Sequence, residues 1–566
     1  MEFDMMTIAL LSLFSILGGI VASKSKLPPA LGLLFVGAAM GPSGLGYMKS
    51  TGETDWLITI GAVLLLFITG LEFDFAKLRT IGAKAFVGAL FKVGIVFFLT
   101  YHSVIFLGFG VDTALFLALI LSFSSTIVIV KVLEQNQMIS RKETPLLLGM
   151  LIAEDLFAIL ALSFMASVNK SGGVHLYGIV EKLMFSMLVL LAVYAACLIF
   201  LPHALKWVLR NAGEESMIFV DFLLCMLLAI LAEVLGLSSA IGAFLAGSIV
   251  ASLPHAKNME KAMAPFSMLA SSLFFLAMGT LVNLKSIPSN LELIGILAAI
   301  IVVSRIVAVS FVTRVFANFK DEQAVFSSFA MFSVGEFSLL IARHTGGFKL
   351  DIDLISMSAI VIFLSSLMMA FSVKRTKEGA MLIKTFTPPN VARAHGKLQV
   401  LSGYLDRAFQ EFSIESSHSN EVRRSAGRIA VAMLGLFLLF YFYERMAIGP
   451  ESAIAARAAF AALAAVIILR LTKSLGSLFS SSARMLRPVH ASQDSRVGKR
   501  IIFNFILVGA CLVVGLYLPF FIFLMGLPAY ANYLSIALVV FGGLMIYRVA
   551  SLIQRATGGP LVHSGF

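Results

Sequence analysis

Residues 146–164 read LLLGMLIAEDLFAILALSF, an apolar run interrupted only by the adjacent carboxylates Glu154 and Asp155. A run of this length is what crossing the hydrocarbon core of a bilayer requires. The rest of the chain is alike: 59% of residues are hydrophobic, 13% are charged and mean hydropathy is +0.97. A soluble domain carries about 25% charge. The 566 residues therefore read as an all-α polytopic membrane protein and not as three or four soluble domains of ~150 residues.

Outward from that run, thirteen apolar segments precede a change of character near residue 375: 5–22, 30–48, 55–72, 81–109, 112–136, 144–168, 176–208, 215–236, 238–253, 264–283, 289–316, 323–343 and 351–373. The ninth is short enough to be tilted or partly re-entrant. With the N-terminus placed outside, loops such as 77–84 and 141–142 fall inside, and the inside loops carry about twice the Lys and Arg of the outside loops, as retention of positive charge demands. Residues 1–375 thus form one membrane domain. Residues 376–428, with KRTKEGA running into them and TPPN and SIESSHSN within, read as a cytoplasmic linker. Four further apolar runs, 429–444, 452–472, 501–525 and 530–553, make 429–566 a membrane extension with its C-terminus inside.

Several classes of function are excluded. Cys197, Cys225 and Cys511 each lie in an apolar run, so neither a disulfide framework nor a thiolate metal site is legible. No G-x-x-x-x-G-K-[ST] occurs, which excludes a P-loop, and no G-x-G-x-x-G follows a strand. The nine histidines lack metal-ligand spacing. The net charge of +12 sits in short loops, where it orients helices and does not indicate nucleic acid. The first apolar run lacks a cleavage site and reads as a retained helix. An enzyme, or a bound cofactor, is not expected.

The buried charges carry the functional signal. Asp155 lies about 16 Å into a helix that rises ~1.5 Å per residue, near the bilayer midplane. A carboxylate there costs at least ~2.5 kcal/mol and marks an ion or proton path. Burial raises a carboxylate's affinity for its proton, so one site can hold either H⁺ or a monovalent cation. Arg305, in the middle of ILAAIIVVSRIVAVSFV, stays protonated and needs a partner; Glu154 is the natural one and Glu336 the runner-up. Lys92, Asp221 and Glu233 have no motif around them and read as structural or lumen-facing. Ser122, Ser124, Ser125 and Thr126 in segment 112–136, and Ser333, Gly335, Glu336 and Ser338 in segment 323–343, weaken helix at depth. Unwound backbone at depth is tolerated only where it lines a cavity. Each cluster sits in the fifth member of a six-segment half, with 176–208 as the connector, which is an inverted-repeat arrangement.

These residues resemble the monovalent cation:proton antiporter-2 family, which includes Kef-type potassium efflux proteins and bacterial sodium/proton exchangers. The motifs are LGLLFVGAAMGPSGLG at 31–46, LFITGLEFD at 66–74, SFSSTIVIVKVLEQ at 122–135, the acidic pair at 154–155, FFLAMGTLVNL at 274–284 and SVGEFSLLIAR at 333–343. The resemblance implies a 13-helix antiporter fold with two crossed broken helices. It also implies a homodimer in the plasma membrane, in contact with lipid, that serves pH homeostasis. It makes Asp155 the proton- and cation-binding carboxylate, with Glu154 beside it, and Arg305 the mid-helix basic residue. Thr126 and Ser125 lie at the first break, Glu336 at the second, and Glu72 at the position of a carboxylate that helps hold the cation. The Glu-Asp pair with an arginine departs from the Asp-Asp with lysine of electrogenic relatives and from the Gln-Asp of Kef-type ones. A permanent Glu154–Arg305 pair would leave Asp155 as the sole exchanging group, with one proton moved per cation. Kef-type relatives also carry a nucleotide-binding C-terminal domain, whose place the linker and four apolar runs take here. Exchange of Na⁺, or alternatively K⁺, for H⁺ is the expected function. A channel or a membrane ion sensor is the expectation from another class.

Overall fold

The computed structural model describes residues 5–24, 28–48, 52–72, 75–170, 176–213, 216–253, 256–345, 348, 350–386, 507–509, 511–519 and 532–557. Long apolar sequences with no partner for their backbone outside the chain form helices, because only a helix satisfies each N–H and C=O within one segment. The helices are α1 (Met5–Lys24), α2 (Pro29–Met40), α3 (Gly52–Glu72), α4 (Phe75–Phe106), α5 (Val111–Ser122), α6 (Thr126–Gln135), α7 (Thr144–Lys170), α8 (Leu176–Ala212), α9 (Ser216–Val234), α10 (Ser239–Ala251), α11 (Ala256–Thr280), α12 (Leu291–Ala317), α13 (Asp321–Ala330), α14 (Phe337–Arg343), α15 (Leu354–Ser372) and α16 (Thr376–Phe386). A last described helix, α17, spans Asn532–Thr557. Among the described residues, seven helices are long and apolar enough to cross a membrane.

Two segments read as single runs are interrupted. Segment 112–136 divides into α5 and α6, and segment 323–343 into α13 and α14. The 12 residues of α5 and the 10 of α6 are each too short for a bilayer that needs ~20; each pair spans only end to end. The ninth segment is the 13-residue α10. Of the expected linker, α16 is described; the rest of it, and the apolar runs 429–444 and 452–472, lie outside the described residues.

The chain forms two compact units. One comprises Met1–Thr313, Phe319–Phe386 and Val513–Ile536; the other comprises Arg314–Asn318, Thr387–Leu512 and Ala537–Phe566. In the second, Gly542 of α17 lies against the side chain of Leu512. In the first, α3 packs on α10 and α11, α2 on α1 and α11, and α9 on α10; α4 packs on α5 and α7, and α14 on α5, α7 and α15. The entry to α5 is pinned by Asp351, whose Oδ2 accepts from the Gly110 N–H and the Thr113 hydroxyl, both at 2.9 Å. Those two donors hold the Asp351 carboxyl below the ordinary carboxylate range.

The two halves are written twice in one contact. Residues 30–37 read ALGLLFVG and residues 240–247 read AIGAFLAG, which aligns Gly37 of α2 with Gly247 of α10. A Cβ on Gly37 would fall 2.0 Å from the Leu276 carbonyl oxygen of α11, and one on Gly247 would fall 1.9 Å from that of Phe67 on α3. The partner glycines match: a Cβ on Gly279 would lie 2.2 Å from the Leu34 oxygen, and one on Gly70 would lie 2.2 Å from that of Phe244. Exchanging α2 with α10 and α3 with α11 converts one crossing into the other, as the pseudo-two-fold of an inverted repeat requires. Only glycine permits backbones this close, which is how membrane helices associate where burial of apolar surface supplies no driving force.

Gly247→Ala is expected to destabilise the protein by about 1–3 kcal/mol, because the neighbour that must yield is backbone. Gly19→Ala, where a Cβ meets nothing within 4 Å, is the control. Thermal unfolding in detergent that leaves the two variants equal would contradict the close crossing.

Candidate functional site

The site begins with hydroxyls that compete for backbone groups. Ser122 Oγ donates back to the Ala118 carbonyl at 2.6 Å, and α5 stops there. Ser125 then adopts an extended conformation and caps α6, its Oγ accepting from the Val128 N–H. Such side chains offer the backbone an alternative to continuing a helix. On the other strand of the crossing, α13 ends at Ala330 and α14 starts at Phe337.

The two breaks cross as a minimal antiparallel pair. Ser124 bridges Val334; the Ser125 N–H donates to the Ser333 carbonyl and the Gly335 N–H to the Phe123 carbonyl, both at 3.1 Å. A Cβ on Gly335 would meet the Ser124 oxygen at 2.6 Å, so the crossing needs glycine there. From α15, Ser365 Oγ accepts from the Val334 N–H at 3.0 Å and Ser366 Oγ lies 2.8 Å from Ser333 Oγ. From α14, Ser338 Oγ donates to the Ile120 carbonyl at 2.6 Å.

The buried charges are distributed by helix polarity. The C-terminal ends of α5 and α13 present carbonyls and partial negative charge, and cations meet them. Arg305 of α12 donates to the carbonyls of Leu121, Phe123 and Met331, each at 2.9 Å, and also to Ser124 Oγ. Lys92 of α4 donates to the Ser122 carbonyl at 2.8 Å, to Ser124 Oγ at 2.7 Å and to Glu154 Oε2 at 2.7 Å. The N-terminal ends of α6 and α14 carry the complementary polarity, and carboxylates meet them. Thr126 Oγ1 donates to Asp155 Oδ2 at 3.0 Å, and Ser125 Oγ donates to Glu336 Oε2 at 3.0 Å.

This arrangement corrects one expectation. The ion-pair partner of Glu154 is Lys92 and neither Arg305 nor any other cation read from the sequence. Glu154 Oε2 also accepts the Ser124 N–H at 3.0 Å. The reason is geometric: a guanidinium presents several N–H groups in a rigid fork, which suits carbonyls diverging from two helix ends, whereas a compact ammonium suits one carboxylate. Arg305 does not hydrogen-bond Glu336 either; Glu336 Oε2 accepts from Ser125 Oγ. Lys92, which the sequence leaves as structural or lumen-facing, is a full member of the cluster. Like Arg305, it is a lone cation in an apolar run, GALFKVGIVFF. Asp155, Glu154, Thr126, Ser125, Arg305 and Glu336 are brought together around the crossing. Glu72 is the last residue of α3; its side chain lies outside the description.

Exposure separates the carboxylates. Glu154 is 1% exposed and Lys92 and Arg305 are 0%, whereas Asp155 and Glu336 each keep 7%. One acidic group is sealed with its cation; the adjacent one accepts the Thr126 hydroxyl and keeps a little exposure.

Crossed discontinuous helices whose ends face a buried charge cluster define a membrane carrier of the inverted-repeat kind. The profile of the family described as "Sodium/hydrogen exchanger, transmembrane" matches residues 9–378. The chain belongs to that family, whose members are integral membrane transporters and not enzymes. It is similar to K(+) efflux antiporter 5 of Arabidopsis thaliana, 26% identical over 335 residues that cover 58% of each chain. It is also similar to the Na(+)/H(+)-K(+) antiporter GerN of Bacillus cereus, 26% identical over 345 residues that cover 60% of this chain and 88% of that one. Among solved structures, the sodium proton antiporter MjNhaP1 from Methanocaldococcus jannaschii aligns with a TM-score of 0.48 at 16% identity, covering 67% of this chain and 98% of that one.

Removing one member of a buried ion pair leaves an uncompensated charge and costs about 3–5 kcal/mol, whereas removing both costs far less. Lys92→Met is therefore expected to destabilise strongly, and Lys92→Met with Glu154→Gln to recover most of the loss. Arg305→Ala should not be rescued by Glu154→Gln, since the hydrogen-bond partners of Arg305 are carbonyls and the Ser124 hydroxyl. Unfolding measurements in which Glu154→Gln rescues Arg305 and not Lys92 would reverse the pairing.

Proposed function

We propose that this chain is a secondary antiporter that exchanges a monovalent cation for protons at Asp155. The observation that carries the reading is the contrast within the acidic pair. Glu154 is held by Lys92 at 2.7 Å and sealed, while Asp155 sits against Thr126 at the start of α6 with residual exposure. A carboxylate in that position is neutralised by H⁺ or by a cation but not by both, and an uncompensated charge resists relocation across hydrocarbon. That competition couples two opposite fluxes.

Na⁺ is favoured as the cation and K⁺ is the alternative. The relatives' names include both ions, and carboxylate, hydroxyl and carbonyl oxygens suit either. Thr126 and Ser125 supply oxygens at the first break, Glu336 a second carboxylate at the other, and Glu72 closes α3. Residues 1–375 would carry the exchange as a homodimer in a lipid bilayer, 376–428 would link, and 429–566 would be an added membrane element. The chain spans 58% of the Arabidopsis relative's length, so the activity is carried over from the site and not from the name.

The test uses proteoliposomes with an imposed pH gradient and a fluorescent pH reporter. Na⁺, Li⁺ or K⁺ should collapse the gradient with wild type and not with Asp155→Asn, which folds but has no proton to exchange. Retained exchange in that variant would overturn the assignment of Asp155. With Glu154 and Lys92 locked together, one proton is expected per cation. An imposed membrane potential should then leave the rate unchanged, and acceleration by a potential would mean that a second proton moves.

A further inference from the structure

The segment after the linker places side chains on the helix that carries Lys92. Tyr517 Oη donates to the Leu90 carbonyl of α4 at 2.7 Å. Its ring covers Gly94, where a Cβ would lie 2.9 Å from Tyr517 Cε2. It also stacks on Phe97 at a centroid distance of 6.4 Å and 17° between planes. One turn further, Asn532 Nδ2 donates to Tyr101 Oη at 2.8 Å, and Ser535 Oγ lies 3.1 Å from His102 Nε2. Leu516 is buried beside Gly94. Leu90, Gly94, Phe97 and Tyr101 recur at i, i+4, i+7 and i+11, which is one stripe of a helix.

Lys92 lies midway between Leu90 and Gly94. At about 100° per residue it projects from the opposite side of that turn. The ring of Tyr517 therefore backs the turn whose front holds Glu154 and the Ser122 and Ser124 oxygens of the first break. Gly94 makes the approach possible, and the hydroxyl finds an acceptor in a place where an unpartnered one is costly. Among the described residues, the charged groups facing Lys92 are Glu154 from α7 and Arg305 from α12.

We infer that Tyr517 is a positioning residue: through the Leu90–Gly94 turn of α4 it holds the Lys92 ammonium on Glu154 and the α5–α6 break. The added C-terminal segment is thus an internal brace of the transport site. The consequence for transport rests on the antiport reading above; the bracing itself does not.

The experiment uses the full chain with Tyr517→Ala, Tyr517→Phe and Tyr533→Ala, the last a 74% exposed residue of the same segment. Hydrogen–deuterium exchange in detergent reads the α4 amides around residues 92–98. Exchange in proteoliposomes reads the pH profile. Tyr517→Ala is expected to speed α4 amide exchange several-fold and to move the pH of half-maximal transport by about half a unit or more, as a displaced neighbouring charge does. Tyr517→Phe should fall between it and wild type, and Tyr533→Ala should match wild type. Unchanged α4 amides in Tyr517→Ala, or faster amides with an unmoved pH profile in a protein that transports, would overturn the inference. If Tyr517→Ala does not fold, Tyr517→Phe decides by the same two readouts. A wild type that moves no protons with any cation overturns the antiport reading alone, and the amides then decide the brace.

Discussion

A helix interrupted inside a membrane leaves several carbonyls and several N–H groups without partners, and hydrocarbon offers none. Two such interruptions meet here. The antiparallel bridge between Ser124 and Val334 uses some of the freed groups, and Ser365 on α15 takes the Val334 N–H. The carbonyls of Leu121, Ser122, Phe123 and Met331, at the ends of α5 and α13, are taken by Arg305 and Lys92. Everything else in the site follows from that requirement, since it brings two positive charges to the membrane interior and so creates the need for carboxylates.

The cations and carboxylates then sort by helix polarity. Cations sit at carbonyl ends and carboxylates at amide ends, where the partial charges of the backbone favour each. Glu154 stands apart: it belongs to Lys92 and to the Ser124 N–H and is fully sealed. Asp155, one residue on, faces another direction around α7 and meets the start of α6. Adjacent helical residues project about 100° apart, so the two carboxylates of one dipeptide meet different surroundings: Glu154 the Lys92 ammonium and Asp155 the Thr126 hydroxyl. The proposed exchange depends on that separation.

The framework around the site is held by close backbone approach. The paired crossings of α2 with α11 and α3 with α10 use glycines in equivalent places of the two halves, so one packing solution serves twice. The core helix α4 is different. Its stripe at Leu90, Gly94, Phe97 and Tyr101 is covered by Tyr517 and Asn532, which lie beyond the residues 9–378 that the family profile matches.

Much of this was legible in one dimension. Apolar run length determined the helices, because hydrocarbon admits no other use for such runs. Ser124, Ser125, Thr126, Gly335 and Glu336 marked the breaks, because small polar residues and glycine weaken helix locally wherever they occur. Glu154, Asp155 and Arg305 stood out because charge at depth is costly in any fold. Pairing was another matter. Arg305 and Lys92 are both lone cations in apolar runs, and nothing local says which meets Glu154; that was decided by the directions in which carbonyls emerge where α5 and α13 cross. The place of Tyr517 was decided in the same way, since a contact 427 residues apart in sequence leaves no periodic trace. Local chemistry sets what each segment must become, and only packing in three dimensions sets which buried donor reaches which acceptor.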